Sequence, residues 1–241
     1  MNSTKPLITH VGLGDNIVQT GLAVALAEHY GAIGFPCYQQ YETSVKSFFI
    51  DEPRVKVYTL PYRRQDEWGS PPDDVFDARI RQCKMDPAQA IRAGLYAGQG
   101  FGWDFTQSFY DHAGIPYDRR WSKCPIDAAV SRVEQLPAVF PASRKIFLHD
   151  DPTRGFIIRW RVNRNLAFVP NFSDPKQSIL RYVGLIRAAH EIHVIDSAFF
   201  HLINSLPAVG AQLFLHQYCR WPRPRSFRYQ SKLNWNYVPF A

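Results

Sequence analysis

Residues 7–18 read Leu-Ile-Thr-His-Val-Gly-Leu-Gly-Asp-Asn-Ile-Val. Leu7 to Val11 is a short apolar run and predicts a strand. Gly12-Leu13-Gly14-Asp15-Asn16 is a glycine-containing turn, and from Ile17 to Tyr30 the residues Ile17, Val18, Leu22, Val24, Ala25 and Leu26 recur at helical spacing, with Gly31 as C-cap. Strand, glycine turn and helix in that order open a βαβ unit, the building block of a parallel sheet. The unit continues with a strand over Ile33 to Cys37, a helix over Tyr41 to Phe49 and a third strand over Val55 to Leu60.

Beyond it the pattern loosens. Tyr62 to Asp74 carries charge, proline and glycine and reads as a loop or mobile lid. Pro87 to Leu95 has the look of a capped helix, Gly98 to Gly102 breaks it, and Asp104 to Ala113 reads as another helix ended by Gly114 and Pro116. Tyr117 to Pro125 reads as the approach to a linker, with a boundary between residues 125 and 143. Then the rhythm restarts. Strands are expected at Lys145 to His149, Leu166 to Val169, Ile192 to Ile195 and Gln212 to His216, and helices at Ser178 to Ala189 and Ser197 to Leu206. The fold class that follows is α/β, with two Rossmann-like domains, 1–135 and 136–241, facing each other across a cleft.

Composition permits this reading. With 241 residues, 46% hydrophobic and 20% charged, the chain has enough apolar material for one large domain or two small ones. The net charge of +7 favours an anionic partner: nucleic acid, a membrane surface or a phosphorylated substrate. Much of the excess lies in Arg220, Arg223, Arg225, Arg228 and Lys232, interleaved with Trp221, Phe227, Tyr229 and Trp235. That segment reads as a solvated tail packing its aromatics on the body, or as a patch that stacks and neutralises an anionic polymer. Met1 to Lys5 lacks a secretory pattern, and no apolar run approaches the roughly 20 residues of a membrane span, so an intracellular protein is expected. Cys37, Cys83, Cys124 and Cys219 have no ligand spacing and read as reduced structural thiols, and the eight histidines form no HExxH pattern, so no metal site is proposed.

Three clusters could carry chemistry. Gly12-Leu13-Gly14-Asp15 lies where glycines let backbone N–H groups approach a ligand, although Asp15 could equally cap the helix. Ile17 occupies the third glycine position of a dinucleotide fingerprint, which disfavours a nicotinamide cofactor. Asp196-Ser197-Ala198-Phe199-Phe200-His201 follows an apolar strand, where open parallel sheets bind ligands; the alternative is an N-cap at Asp196 or Ser197 with His201 in the core. His149-Asp150-Asp151-Pro152-Thr153-Arg154-Gly155-Phe156 gathers two carboxylates, a histidine and an arginine after a strand, either as a surface turn or as a site in which Arg154 clamps a diphosphate.

The Gly12-Leu13-Gly14-Asp15 turn resembles the GLGD turn that opens the acceptor lobe of heptosyltransferase-like glycosyltransferases, a group of the glycosyltransferase-B fold. Asp196-Ser197 with His201 and Leu202 resembles their D-[ST]-G-x-x-H-L donor-lobe motif, with Ala198 where that family carries glycine. The resemblance implies an acceptor-side domain over 1–135 and a nucleotide-sugar-binding domain with a basic aromatic tail over 136–241. It implies inverting transfer of a hexosyl or heptosyl group from a nucleoside-diphosphate sugar, a co-substrate rather than a cofactor, to a glycan or lipid-linked glycan in bacterial-type surface polysaccharide synthesis. Asp15 would be the general base, with His10, Gly12, Gly14 and Asn16 toward the acceptor. His149, Asp151, Arg154, Ser178, Asp196, Ser197 and His201 would hold the donor, with no metal. A cytoplasmic location follows, with peripheral contact to the anionic inner face of the membrane open to the basic chain and no specific nucleic acid expected. The rivals are a nucleic-acid or anionic-glycan binding protein using the basic tail, and another nucleotide-sugar enzyme such as an epimerase or hydrolase.

Overall fold

The computed structural model describes residues 4–61, 72–94, 105–159, 162–172, 174–218 and 228–239. Its first part contains β1 (Lys5–Ile8), α1 (Leu13–Val18), α2 (Thr20–Tyr30), β2 (Ile33–Tyr38), α3 (Glu42–Phe48), β3 (Val55–Leu60), α4 (Asp73–Gln82), β4 (Ile91–Arg92), α5 (Phe105–His112), α6 (Arg119–Ser122) and α7 (Ile126–Val130). The second contains β5 (Ile146–His149), β6 (Ala167–Phe168), α8 (Val183–Ala188), β7 (Glu191–Val194), α9 (Ala198–Asn204), β8 (Gln212–His216) and β9 (Trp235–Val238). The strands form two sheets, ordered β3-β2-β1-β4 and β6-β5-β7-β8-β9, and every pairing is parallel. The α/β class read from the alternation is therefore the observed one.

Strand β2 shows why the pattern works. Every residue from Ile33 to Tyr38 is buried, as expected for an interior parallel strand covered on both faces. It contains Pro36, which cannot donate to a ladder. The pairing with β1 runs through Pro6↔Gly34, while the pairing with β3 continues to Tyr38↔Leu60. Beyond β1, the Pro36 carbonyl accepts a hydrogen bond from Asn16 Nδ2 at 2.9 Å, so a side chain of α1 takes over where the β1 ladder ends.

The two sheets share one connected core. It runs from Leu7, Phe35 and Val55 of the first sheet through Phe109 and Ile179 to Phe147, Ile192 and Leu213 of the second. Polar contacts join the two halves as well: Ile179 N donates to Ser44 Oγ at 3.0 Å, and the hydroxyls of Ser47 and Ser178 lie 2.6 Å apart.

Several expectations need correction. The helix expected over Ile17 to Tyr30 is two helices, broken at Gln19, and α1 begins at Leu13, so the glycine motif is helix rather than turn. Gln19 ends α1 because its amide turns back to the strand-end loop, donating to the His10 carbonyl at 3.1 Å and pairing with Thr9 Oγ1 at 2.7 Å. The helix expected over Pro87 to Leu95 is one 3-10 turn, Pro87–Gln89, with Asp86 accepting from Ala88 N; then Ile91 and Arg92 pair with Leu7 and Ile8 as β4. Tyr117 to Pro125, read from the sequence as the approach to a linker, contains α6, where Arg120 is buried and Trp121 Nε1 donates to the Asn204 carbonyl of α9 at 3.2 Å. Ser178 to Ala189 divides into a 3-10 turn, Ile179–Tyr182, and α8. The last part of the basic tail is β9, paired along β8 from Leu213↔Trp235 to His216↔Val238. Of the loop expected over Tyr62 to Asp74, residues 62–71 lie outside the described residues, as do Gly98 to Gly102, Cys219, Arg220, Trp221, Arg223, Arg225 and Phe227. Cys37, Cys83 and Cys124 are unbridged, and burial pushes the Cys37 thiol up to about 12. Among the described residues no helix is long and apolar enough to cross a membrane.

The second sheet also buries two histidines. His193 stacks on Phe214 at 4.5 Å, and its Nδ1 lies 3.1 Å from His216 Nε2. Burial lowers both, His193 to about 4 with help from Arg144 and His216 to about 3 with help from His193. Burial also lowers His149 to about 4. The folded chain thus binds fewer protons than the unfolded chain below the ordinary imidazole value of about 6.5, so stability is full above that pH and falls as pH drops toward 4. Melting temperatures should be level from pH 7 to 8 and decline from 6.5 to 4, with a loss on the order of a few kcal/mol. His216→Asn should flatten part of that slope, whereas a wild-type profile level down to pH 4 would contradict neutral burial.

Candidate functional site

Parallel sheets present their carboxyl-terminal strand ends together, and ligands enter where strand order reverses. In the first sheet the chain goes from β1 to β2 on one side and returns to β4 on the other. In the second it leaves β5 for β6 and returns to β7. The segment after β1 leads into α1, and the segment after β7 leads into α9. Asp15 and Asp196 therefore stand beside comparable strand ends of separate sheets.

Helices α1 and α9 touch through their first turns. A Cβ placed on Gly14 would lie 3.1 Å from His201 Cδ2 and 3.6 Å from both the Cα and N of Ala198. Gly14 is thus a close-approach glycine, and Ala198 supplies the facing surface. The two motifs, separated by some 180 residues of chain, meet backbone to backbone.

On the α1 side, Gly12 is the N-cap residue and Asp15 lies in the first turn. The Asp15 carboxylate folds back over Gly12, where an added Cβ would sit 2.8 Å from Oδ2. A negative group there is favoured by the helix dipole, so Asp15 stabilises α1 without being its N-cap. His10 is half-buried, with Phe105 and Phe109 rings 6.1 and 5.9 Å away. Asn16 is fully buried and committed to Pro36. It sets the seat of α1 against β2 and does not face solvent.

On the α9 side, Asp196 is half-buried. Its Oδ2 accepts from the Tyr229 hydroxyl at 2.5 Å, and its Oδ1 lies 3.6 Å from His201 Nε2. Ser197 is the N-cap residue, but its hydroxyl makes no capping bond, and Oγ is buried with no partner. His201 is 5% exposed and Nδ1 is likewise buried without a partner, so this histidine is interior and wedged between Asp196 and Gly14. His149 ends β5 opposite Val194, and its ring lies 4.5 Å from Phe199 of α9. It is neutral by burial, an uncharged hydrogen-bonding group at the β5 and β7 strand ends.

The loop after β5 is more ordered than its charge suggests. Asp151 caps a 3-10 turn, Pro152–Arg154, accepting from Thr153 Oγ1 at 2.6 Å and Arg154 Nε at 2.5 Å. Partial burial works against the ionised carboxylate, but these hydrogen bonds and the arginine charge prevail and hold Asp151 below the usual range. Arg154 would have to share or leave Asp151 to reach a diphosphate. Asp150, next to it, has a fully buried side chain that pairs with Arg164 and accepts from Ile158 N at 3.0 Å. Ser178 is 5% exposed, and its hydroxyl is used by Leu180 N at 3.1 Å and by Ser47, so it acts between the sheets.

Sequence reasoning missed Gln19, which shapes the loop before α1, and Tyr229, which holds Asp196. Neither carries a local signal: the contacts span 10 residues for Gln19 to Thr9 and 33 for Tyr229 to Asp196. Among the described residues no group of three or more His, Cys, Asp and Glu is arranged to hold a metal ion.

No family model matches the chain, and no curated protein matches it either. Among solved structures it is similar to the crystal structure of a glycosyl transferase family 9 protein from Veillonella parvula DSM 2008, at TM-score 0.49 and 9% identity over 100% of this chain and 89% of that one. A likeness this remote says nothing about chemistry, which rests on the residues described above.

The contact between α1 and α9 can be probed by size. Gly14→Ala should be tolerated with a small shift of His201. Gly14→Val adds γ-methyls to a Cβ already tight against His201 Cδ2, and should cost about 1–3 kcal/mol. Calorimetry on the two variants checks this; equal stability of wild type and Gly14→Val would refute the close approach.

Proposed function

We propose that the chain is a glycosyltransferase whose two Rossmann-like domains meet at the contact between α1 and α9, with the nucleotide-sugar cleft at their apposed strand ends. The observation that carries the proposal is the packing of Gly14 on Ala198 and His201, which puts the Asp15 and Asp196 segments side by side. The donor is a nucleoside-diphosphate hexose or heptose, and the acceptor is a hydroxyl of a glycan or lipid-linked glycan. Transfer is inverting and needs no obligatory metal, as the resemblance of the two motifs to heptosyltransferase-like enzymes implies.

In this reading the acceptor oxygen attacks the anomeric carbon as the bond from that carbon to the diphosphate breaks. The diphosphate leaves with the bonding electrons, and Asp15 takes the proton from the acceptor hydroxyl. A carboxylate is a weak base, with an ordinary value of about 4, so proton transfer comes late, when the attacking oxygen has become acidic. His10 and the Gly12 to Gly14 segment at the start of α1 face the acceptor. Asn16 supports them through Pro36 rather than touching substrate. Asp196 and Ser197 hold the ribose and diphosphate, His149 offers an uncharged hydrogen-bonding partner, and Arg154 offsets the charge of the departing nucleotide.

A thermal-shift screen against UDP, GDP, ADP and CMP tests the cleft and identifies the base. One of the four, at about 100 times its Kd, should stabilise the fold by about 2.7 kcal/mol. Asp196→Ala should reduce that shift. Asp15→Asn should lower transfer by about 10²-fold or more while leaving the nucleotide shift intact. Full activity in Asp15→Asn would remove Asp15 from the base role, and no shift with any nucleotide would remove the nucleotide cleft.

A further inference from the structure

The last strand returns to the candidate site with a side chain that no motif contains. Tyr229 precedes β9 and is 5% exposed, yet its hydroxyl reaches Asp196 Oδ2 at 2.5 Å. A buried phenol needs a partner, but this ring does not depend on Asp196 for its position. Its backbone N accepts its place from Tyr237, donating to the Tyr237 hydroxyl at 3.1 Å. Gln230 next to it donates through Nε2 to Gln107 Oε1 of α5 at 3.0 Å, and its carbonyl accepts from Asn204 Nδ2 of α9 at 3.3 Å. Ser231 bonds to Asn204 Oδ1, and Phe200 packs on Tyr229 and Trp235 with both ring distances at 4.9 Å. The segment is thus fastened to α9 and to α5, on both sides of the contact between the sheets, and it delivers one hydroxyl to one carboxylate.

We propose that Tyr229 is a positioning residue for the nucleotide site: its hydroxyl fixes the Asp196 carboxylate with Oδ1 toward His201. The inference rests on the nucleotide-cleft reading. Donation to a carboxylate is among the stronger hydrogen bonds, and it favours the ionised form. Without it, Asp196 can rotate, so a ribose or diphosphate partner meets a less ordered group. The C-terminal segment, read from the sequence as a tail that packs its aromatics on the body, then completes the site through Tyr229.

The test uses the full chain, isothermal titration of UDP, GDP, ADP and CMP at one pH between 7 and 8, and a melting curve for each variant. Tyr229→Phe should melt close to wild type, because the ring and its backbone anchors remain. Its affinity for the nucleotide that wild type binds should fall about tenfold. Tyr237→Phe, which removes the hydroxyl bonded to the Tyr229 backbone but keeps the ring under Arg228, should keep the affinity. Unchanged affinity in Tyr229→Phe would overturn the proposal, as would an equal loss in Tyr237→Phe, which would mark general loosening of the segment. Failure of wild type to bind any of the four would instead defeat the cleft reading and this inference with it.

Discussion

The packing of Gly14 against Ala198 and His201 is the constraint on which the rest of the molecule turns. It is short, and it joins the first turns of two helices that follow central strands of two separate parallel sheets. Its geometry is prepared from both sides. On one side, Asn16 pins α1 to the Pro36 carbonyl and Gln19 ends the helix by reaching back to Thr9 and His10. On the other, Asp196 is held between Tyr229 and His201. The polar side chains around the contact thus serve mainly to fix backbone segments, and the Asp15 and Asp196 segments inherit their positions from that.

Most strands were legible because each is a short apolar run between turn residues. β8 is found over Gln212–His216, as the sequence predicts. Elements failed where local pattern and tertiary context diverge. Pro87 after Asp86 is a sound helix opening, but β1 has a vacant edge and Ile91 is used to fill it. Trp235 to Val238 carries no strand signal strong enough to outweigh the charge before it, and it becomes a strand because β8 offers an edge. The break at Gln19 is invisible to periodicity, since apolar positions continue on both sides while a side-chain amide diverts the backbone.

The site was legible in part, for a related reason. Strand-end residues such as Asp15, His149 and Asp196 can be found from the strand that precedes them. What each side chain does once there is set by partners far along the chain. Asn16 and Ser178 look like exposed polar residues near a ligand, yet both are buried and used to join elements. Asp151 and Arg154 satisfy each other within one turn. Buried atoms without a partner include Ser197 Oγ and His201 Nδ1, on either side of the first turn of α9. An orphaned buried polar atom costs roughly 1–3 kcal/mol, and a ligand that reorganises this turn would recover part of it.

The most direct measurement is amide chemical-shift mapping on the isotope-labelled full chain during titration with a nucleoside diphosphate. The account predicts that the largest perturbations cluster at residues 149–155 and 195–201, with smaller ones at residues 12–15 across the contact between α1 and α9. Perturbations confined to other surfaces, with the α9 strand end unmoved, would contradict it.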